Sequence, residues 1–200
     1  MAGKTKLEGK NLEIALKMLH KITEIMEKHS LPYWLEGGTL LGIIRENRLL
    51  PWDNDMDIST FKKDYKKLLR VSISFFLAGY RVSYRKFRED IGPFKKGEFR
   101  MIKIRNFINF LGKGEVLLDI FVKKKVGNKY YWVVGTKSPV LKSSPAKYLE
   151  TQTKIMFNGK EYSAPADYKG YLTHRYKDWQ TPVKTWDFKK DDNAIVKDDK

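Results

Sequence analysis

The sequence contains no cysteine, which excludes disulfides, thiolate metal sites and a cysteine nucleophile. It also contains no Asn-x-Ser/Thr sequon, no apolar run as long as a membrane span, and no charged-then-apolar leader. These absences are typical of a soluble protein in a reducing compartment, and we expect the cytoplasm. The 200 residues are 42% hydrophobic and 14% aromatic, which is enough for one domain with its own core.

Acidic residues are scarce relative to basic ones. The chain has 40 Lys and Arg against 24 Asp and Glu, a net charge of +16. Such an excess attracts polyanions, among them nucleic acid, an anionic membrane surface or a nucleotide-linked substrate. Many of the lysines occur in short runs, such as Lys62-Lys63 and Lys123–Lys125, which are common on solvated surfaces. Net charge alone therefore selects no partner.

Against this basic background, three aspartates occupy alternate positions, Asp53, Asp55 and Asp57. If Met56 and Ile58 are buried in a strand, strand alternation places Asp55 and Asp57 on the opposite face, with Cα atoms about 6.5–7 Å apart. Carboxylates at this spacing repel each other unless they share a divalent cation or a proton. An ordinary Asp-Asn-Asp turn is the alternative. An EF-hand loop is excluded because its sixth and twelfth positions here are not glycine and glutamate.

A double glycine precedes the aspartates. Gly37 and Gly38 follow the apolar run Tyr33–Leu35, which predicts a short strand, and precede Thr39–Arg45, which predicts a helix with Thr39 near its cap. Exposed N–H groups at a helix start bind phosphate, and glycine lets a ligand approach the backbone closely. The glycines by themselves could equally form a tight turn. Followed by the acids, they predict an anion cradle beside a metal-binding cluster.

The rest of the chain shows regular hydrophobic patterns. Apolar residues at helical spacing predict helices over Asn11–His29 and Phe61–Leu77. Alternation predicts strands over Tyr80–Phe87 and Phe99–Phe107, each with a basic face that could bind substrate phosphates or face water. The remaining predictions are a hairpin across Gly127-Asn128, a small C-terminal lobe from about Ser138 with a helix over Tyr168–Tyr176, and flexible tails at 1–10 and 187–200.

One further acid lies inside an apolar run. Asp119 is the middle residue of Val116–Val122, a β-prone segment in which an uncompensated carboxylate would cost several kcal/mol to bury. A salt bridge to one of the many lysines would compensate it. A position beside the other acids and their cation would do so as well.

Residues 37–59, GGTLLGIIRENRLLPWDNDMDIS, resemble the signature of the LicD family of phosphotransferases. That family includes bacterial phosphocholine transferases and is related to fukutin-type ribitol-phosphate transferases. Residues 171–179, YLTHRYKDW, are similar to the family's closing segment, except that Lys177 replaces the usual glycine, which affects the local turn. The resemblance implies one LicD-like domain over residues 1–200, with an α+β, polymerase-beta-like nucleotidyltransferase fold in which helices flank a mixed sheet.

The resemblance also implies a site and a reaction. Asp55, Asp57 and Asp119 would be catalytic and would bind Mg2+ or Mn2+, with Asp119 as the third carboxylate that this fold carries on a later strand. The residues implied in substrate binding are Gly37, Gly38, Thr39, Arg45 and Asp53, the last of which could instead brace the loop. The implied reaction moves phosphocholine or an alditol phosphate from a CDP-linked donor to a glycan, free or lipid-linked, and releases CMP, as in lipopolysaccharide or teichoic acid biosynthesis.

Two alternatives to this reaction stay open. One is a nucleotidyltransferase that acts on nucleic acid or protein and releases pyrophosphate, which the charge of +16 favours. The sequence has no recognisable RNA-binding module, so we do not expect a nucleic-acid partner. The other is a catalytically inactive binding protein on the same scaffold, although all three acids are present. Peripheral contact with an anionic membrane is a further expectation from the charge.

Overall fold

The computed structural model describes residues 5–108, 112–135, 137–183 and 185–197, and these ranges contain both strands and helices. The strands are β1 (Trp34–Leu35), β2 (Met56–Phe61), β3 (Tyr80–Lys86), β4 (Phe99–Ile108), β5 (Gly112–Val126), β6 (Lys129–Val134), β7 (Val140–Pro145), β8 (Gln152–Phe157) and β9 (Lys160–Pro165). The helices are α1 (Gly9–Lys28), α2 (Gly37–Glu46), α3 (Tyr65–Leu77), α4 (Lys147–Glu150) and α5 (Tyr168–Tyr176), with a 3-10 turn at Lys62–Asp64. No helix in these ranges has the length and hydrophobicity needed to cross a bilayer.

A mixed sheet organises the described part of the chain. Its main path runs β1-β2-β5-β4-β3, β6 and β7 extend it from β5, and β8 and β9 form a separate hairpin. Strands β2 and β5 are parallel, whereas the other neighbours on the main path are antiparallel. The parallel register pairs Asp57 with Asp119, so the topology itself brings two distant acids together. The predicted α+β class with a mixed sheet flanked by helices is confirmed.

The hydrophobic core lies on one face of the sheet. Met56 and Ile58 of β2 and Leu118 and Ile120 of β5 are fully buried there. Helix α1 adds its own apolar stripe to the same core: Ala15, Met18, Leu19, Ile22 and Met26. Because neighbouring residues of a strand point to opposite faces, this burial turns the aspartates of both strands to the other side of the sheet.

Most of the predicted elements are present with shifted boundaries. The first helix runs over Gly9–Lys28, and the last over Tyr168–Tyr176 as predicted. The helix predicted from Phe61 begins only at Tyr65, because β2 continues through Phe61 and a 3-10 turn follows it. The strand thus includes Phe61, although the spacing of apolar residues by itself predicts a helix from this position.

The C-terminal third differs from the prediction of a small lobe and a flexible tail. Leu149, Phe157, Tyr162 and Leu172 belong to the main core and not to a separate one. In place of the tail predicted from residue 187, the structure buries Asp192 to 2% exposure, where its carboxylate contacts Arg175 and Lys142.

The N-terminal tail predicted over residues 1–10 is also partly fixed in place. Leu7 is 2% exposed and its N–H donates to the carbonyl of Asp53 at 3.1 Å, and α1 already begins at Gly9. Residues 1–4 and 198–200 of the predicted tails lie outside the described ranges.

Helix α5 ends in an unusual backbone conformation at Lys177. Its φ of 56° and ψ of −106° lie in a region that residues with a Cβ rarely adopt and that glycine adopts readily. Such a conformation costs a non-glycine residue on the order of 1–3 kcal/mol. The conformation therefore suits a glycine, which the resemblance implies at this position, better than the lysine of this chain.

We expect Lys177→Gly to raise the free energy of unfolding by about 1 kcal/mol, because relief of strain exceeds the added entropy of the unfolded chain. Chemical denaturation of the purified variants measures this change. Lys177→Ala is the matched control, since it removes the charge but keeps the Cβ, and we expect no gain from it. Equal gains from both variants would assign the effect to the charge and not to the backbone.

Candidate active site

A cavity of about 1270 Å³ lies on the face of the sheet opposite the main core. Its lining includes the start of α2 and four acids: Asp53, Asp55, Asp57 and Asp119. Basic residues of β3, of β4 and of the segment after β3 also line it: Arg85, Lys86, Arg88, Arg100 and Lys103. Acids and cations therefore border one space, as a ligand that combines phosphates with a divalent cation requires.

Asp57 and Asp119 are neighbours at the parallel pair of strands. Their Cα atoms are partners in the register, on strands that lie about 4.8 Å apart, and both residues line the cavity. Burial raises the pKa of Asp57 well above its ordinary value, and the nearby charges of Asp55, Asp119, Asp53 and Glu36 raise it further. Burial and the neighbouring carboxylates thus disfavour the ionised form of Asp57.

Asp119 is compensated through only one of its two oxygens. Strand β4 places Lys103 opposite Asp119, and the Lys103 ammonium donates a hydrogen bond to Oδ2. The other oxygen, Oδ1, is buried and has no hydrogen-bond partner among the described residues. Burial raises the pKa of Asp119 despite the opposing charge of Lys103. The salt bridge to a lysine is therefore confirmed, and Asp119 also lies beside Asp57, whereas its compensation by a cation stays a prediction.

Lys103 and Arg100 show the direction in which the basic face of β4 points. The sequence left open whether this face is turned to the site or to water. Lys103 is 8% exposed and is bound to Asp119, and Arg100 donates to the carbonyls of Val133 at 3.1 Å and Gly135 at 2.5 Å. Both cations line the cavity, so at these two positions the basic face is turned to the acids.

Gly37 and Gly38 make room for carboxylates. A Cβ on Gly37 would lie 2.7 Å from Oδ2 of Asp57, and a Cβ on Gly38 would lie 2.0 Å from Oδ2 of Asp53. Gly37 also has a φ of +57°, which favours glycine. The groups that approach these glycines in the structure are therefore carboxylates. Contact between the two glycines and a donor phosphate stays a prediction.

The start of α2 differs from the predicted cap. The N-cap is Glu36, whose side chain accepts a hydrogen bond from the Gly37 N–H at 3.2 Å, so the helix starts earlier than the cap predicted near Thr39. Thr39 lies within the first turn and is buried, and its Oγ1 accepts a hydrogen bond from the Asp57 N–H at 2.8 Å. Thr39 thus fixes the acid strand against the helix, whereas its predicted contact with substrate is untested.

Arg45 and Asp53, also predicted to contact substrate, have partners within the protein. The Arg45 guanidinium donates to Glu46 at 2.9 Å and to the carbonyl of Trp179 at 3.3 Å, so much of its charge is already compensated. Burial raises the pKa of Asp53 to about 6, and its main-chain carbonyl holds Leu7. Both roles proposed for the Asp53 side chain stay predictions.

The sequence analysis missed Glu36, which is the centre of a buried ionic network. Its Oε2 accepts from Lys123 Nζ at 2.5 Å, and its Oε1 accepts from the Tyr171 hydroxyl at 2.7 Å and from Arg175 at 2.5 Å. Burial alone would raise the pKa of Glu36, but the charges of Lys123 and Arg175 outweigh burial and lower the pKa to about 2. The residue that caps the glycine turn is thus held from two distant parts of the chain.

Arg175 extends the network to the C-terminal segment. Its Nε donates to Asp192 at 3.0 Å, and Asp192 also accepts from Lys142 at 2.5 Å. The five charged members alternate in sign and none is more than 4% exposed: Lys123, Glu36, Arg175, Asp192 and Lys142. No local pattern marks these residues, although Arg175 falls in the segment 171–179 that the resemblance identified.

We expect Gly38→Ala to lower the free energy of unfolding by about 1–2 kcal/mol, because the new methyl group would overlap the Asp53 carboxylate. Gly38 does not have a positive φ, so backbone strain contributes nothing to the loss. The control is the double variant Gly38→Ala with Asp53→Ala. Removal of the Asp53 carboxylate should recover most of the stability that Gly38→Ala alone loses. Additive losses in thermal or urea unfolding would show that this contact is unimportant.

A divalent cation requires several oxygen ligands in one place. In the ranges that the structure covers, no three His, Cys, Asp or Glu side chains are grouped as a metal site. The chemistry of the donors nevertheless fits Mg2+ or Mn2+, since carboxylate oxygens are preferred ligands of these ions. The buried, unpartnered Oδ1 of Asp119 and the raised pKa of Asp57 also indicate charge that a cation would compensate.

A comparison with protein families identifies the chain. The model described as LicD/FKTN/FKRP, nucleotidyltransferase domain, matches residues 30–167. The chain belongs to this family. The matched range includes both glycines and the four aspartates that line the cavity, but it ends before Arg175 and Asp192.

Two relatives show how much of the chain the similarity covers. The human ribitol-5-phosphate transferase FKTN is 28% identical over 180 residues, which are 88% of this chain and 35% of FKTN. The lipopolysaccharide cholinephosphotransferase LicD of Haemophilus influenzae is 33% identical over 58 residues, which are 29% of this chain and 22% of that protein. This LicD-family chain therefore spans about a third of the length of FKTN.

Among solved structures, ANT(2")-Ia in complex with adenylyl-2"-tobramycin aligns with a TM-score of 0.46 and 17% identity. The alignment covers 86% of this chain and 80% of that chain.

Proposed function

We propose that this chain transfers phosphocholine or an alditol phosphate from a CDP-linked donor to a glycan hydroxyl and releases CMP. The observation that carries the proposal is the pairing of Asp57 with Asp119 on parallel strands, opposite the Gly37-Gly38 start of α2 in one cavity. The names of two relatives, a ribitol-5-phosphate transferase and a cholinephosphotransferase, support this class of transferred group.

The protein side chains have distinct roles in this proposal. Asp55, Asp57 and Asp119 would hold Mg2+ or Mn2+, which when bound supplies positive charge to the donor diphosphate. Lys103 favours the ionised form of Asp119 and holds it in place, and together with Arg100 it would add positive potential where the transferred phosphate develops charge. Asp119, through its unpartnered Oδ1, would accept the proton of the acceptor hydroxyl.

The position of attack separates this proposal from its closest alternative. Attack on the phosphorus farther from the nucleoside releases CMP and moves the substituted phosphate. Attack on the nearer phosphorus of a nucleoside triphosphate releases pyrophosphate and moves a nucleotide, as a polymerase-like relative would do. The two reactions therefore differ in a product that is simple to measure.

Phosphorus NMR with Mg2+ tests the proposal. The chain is incubated separately with CDP-ribitol, CDP-choline and a nucleoside triphosphate, and slow transfer to water serves as the readout without a defined acceptor. We expect CMP from at least one CDP-linked donor and no product from the triphosphate. Pyrophosphate would support the nucleotidyltransferase alternative, and the absence of any product in the presence of glycan acceptors would support a binding protein.

A further inference from the structure

An uncompensated basic segment follows the acid strand. Tyr65–Arg88, which forms α3 and β3, carries +7 of the chain's +16, because it has no Asp or Glu and seven cations. The cations are Lys66, Lys67, Arg70, Arg81, Arg85, Lys86 and Arg88. In the described part of the chain, none of them forms an ion pair. The segment therefore presents positive charge that an external anionic surface can neutralise.

The C-terminal end of α3 exposes an apolar cluster within this basic segment. Ile73, Phe76 and Leu77 are 61%, 60% and 77% exposed. Their spacing of three and four residues places them on one face of the helix, opposite the buried Leu68 and Phe75. We call these three residues the α3 tip. Large apolar side chains that are clustered and exposed mark an interaction site more often than scattered ones do.

The α3 tip is connected to the active-site cavity by β3. Tyr80 begins β3 three residues after Leu77, and β3 is the edge strand of the main path of the sheet. The Tyr84 hydroxyl lies 2.8 Å from Ser72 Oγ, which ties β3 to α3, and Arg85 and Lys86 line the cavity. From Tyr80 to Lys86, β3 extends about 20 Å, so the α3 tip lies near one end of this basic strand and the cavity near the other.

We propose that the α3 tip inserts into an anionic lipid surface, with the cations of α3 and of the start of β3 against the lipid head groups: Lys66, Lys67, Arg70 and Arg81. Exposed Phe, Leu and Ile gain free energy in the boundary between head groups and acyl chains, while cations gain from anionic lipids. Nucleic acid fits less well, because exposed apolar side chains gain little from contact with phosphates. This orientation would present the cavity to a lipid-linked glycan acceptor, and this part of the inference rests on the proposed function.

Vesicle flotation of the full chain tests the lipid contact. We expect binding to phosphatidylcholine vesicles that contain phosphatidylglycerol, and binding at least about tenfold weaker to pure phosphatidylcholine. Phe76→Ser with Leu77→Ser should weaken the binding about tenfold or more, since it removes the inserted groups. Met156→Ser is the matched control, because Met156 is 62% exposed on the separate β8–β9 hairpin, and it should bind like the unaltered chain.

Three results would overturn the lipid contact. They are no flotation with anionic vesicles, equal flotation of the serine pair, or tighter binding to a single-stranded RNA that the serine pair leaves unchanged. Circular dichroism should show intact folding of the serine pair, because both side chains are exposed. CMP release into water does not need the lipid, so the serine pair should retain it, and failure of docking is thereby distinguished from failure of the proposed activity.

Discussion

Replacing Glu36 with glutamine is expected to lower the free energy of unfolding by about 3–5 kcal/mol. The substitution removes the charge that compensates Lys123 and Arg175, and both cations remain buried at 0% and 4% exposure. Burying charge without a partner is among the most costly changes in a protein interior. Urea unfolding at neutral pH, followed by tryptophan fluorescence, measures the loss.

Glu150→Gln is the matched control for this loss. Glu150 also forms an ion pair, with Lys125, but the two side chains are 46% and 48% exposed. Water screens an exposed pair, so the control should cost less than about 1 kcal/mol. Similar losses in the two variants would contradict the importance that we give to the buried network.

Acidic pH provides a second measurement on the same carboxylate. The pKa of Glu36 falls from its ordinary 4.5 to about 2 on folding, so its contribution to stability is complete above pH 4.5 and is lost as the pH falls toward 2. A shift of this size corresponds to roughly 3 kcal/mol. Because glutamine does not titrate, the difference in the free energy of unfolding between the unaltered chain and Glu36→Gln should shrink as the pH falls from 4.5 toward 2. A constant difference would contradict the lowered pKa.

Asp57→Asn is expected to reduce CMP release at least about 1,000-fold without loss of stability. The activity falls because Asp57 is the acid that the register places against Asp119 in the cavity. The fold should be retained or gain stability, because the substitution relieves the repulsion and burial that raise the pKa of Asp57. Product analysis and thermal unfolding of the same preparation measure both effects.

Asp90→Asn is the matched control for the activity measurement. Asp90 pairs with Lys95 at the surface with 57% exposure, so full turnover is expected from this variant. Full turnover by Asp57→Asn would remove Asp57 from the site. Unfolding of Asp57→Asn would instead assign it a structural role, contrary to the electrostatics of the cavity.

The acids and the elements that carry them were predictable because their signals are local. Met56 and Ile58 alternate with Asp55 and Asp57, and this period of two predicts a strand with its acids on one face; the structure begins β2 at Met56, so Asp57 lies in the strand and Asp55 directly precedes it. Asp119 lies in an apolar run long enough to be read as a strand. The pairing of Asp57 with Asp119 depends on a parallel register, which no local pattern specifies, and only the resemblance implied it.

The network around Glu36 could not be predicted because its contacts are distant in sequence. Arg175 follows Glu36 by 139 residues, and the family match over 30–167 stops before it. The segment around Asp192 is rich in Lys and Asp, a composition typical of disordered tails. Its burial depends on two cations that the fold supplies, Arg175 and Lys142. The basic composition likewise concealed that Lys103 is the particular lysine that faces Asp119.

Binding of Mn2+, measured by electron paramagnetic resonance, tests most directly whether the three acids form one cation site. The unaltered chain should bind Mn2+, and both Asp57→Asn and Asp119→Asn should weaken the binding at least about tenfold, while Asp90→Asn should leave it unchanged. Equal Mn2+ binding by all four proteins, or none by the unaltered chain, would contradict a shared site at Asp55, Asp57 and Asp119.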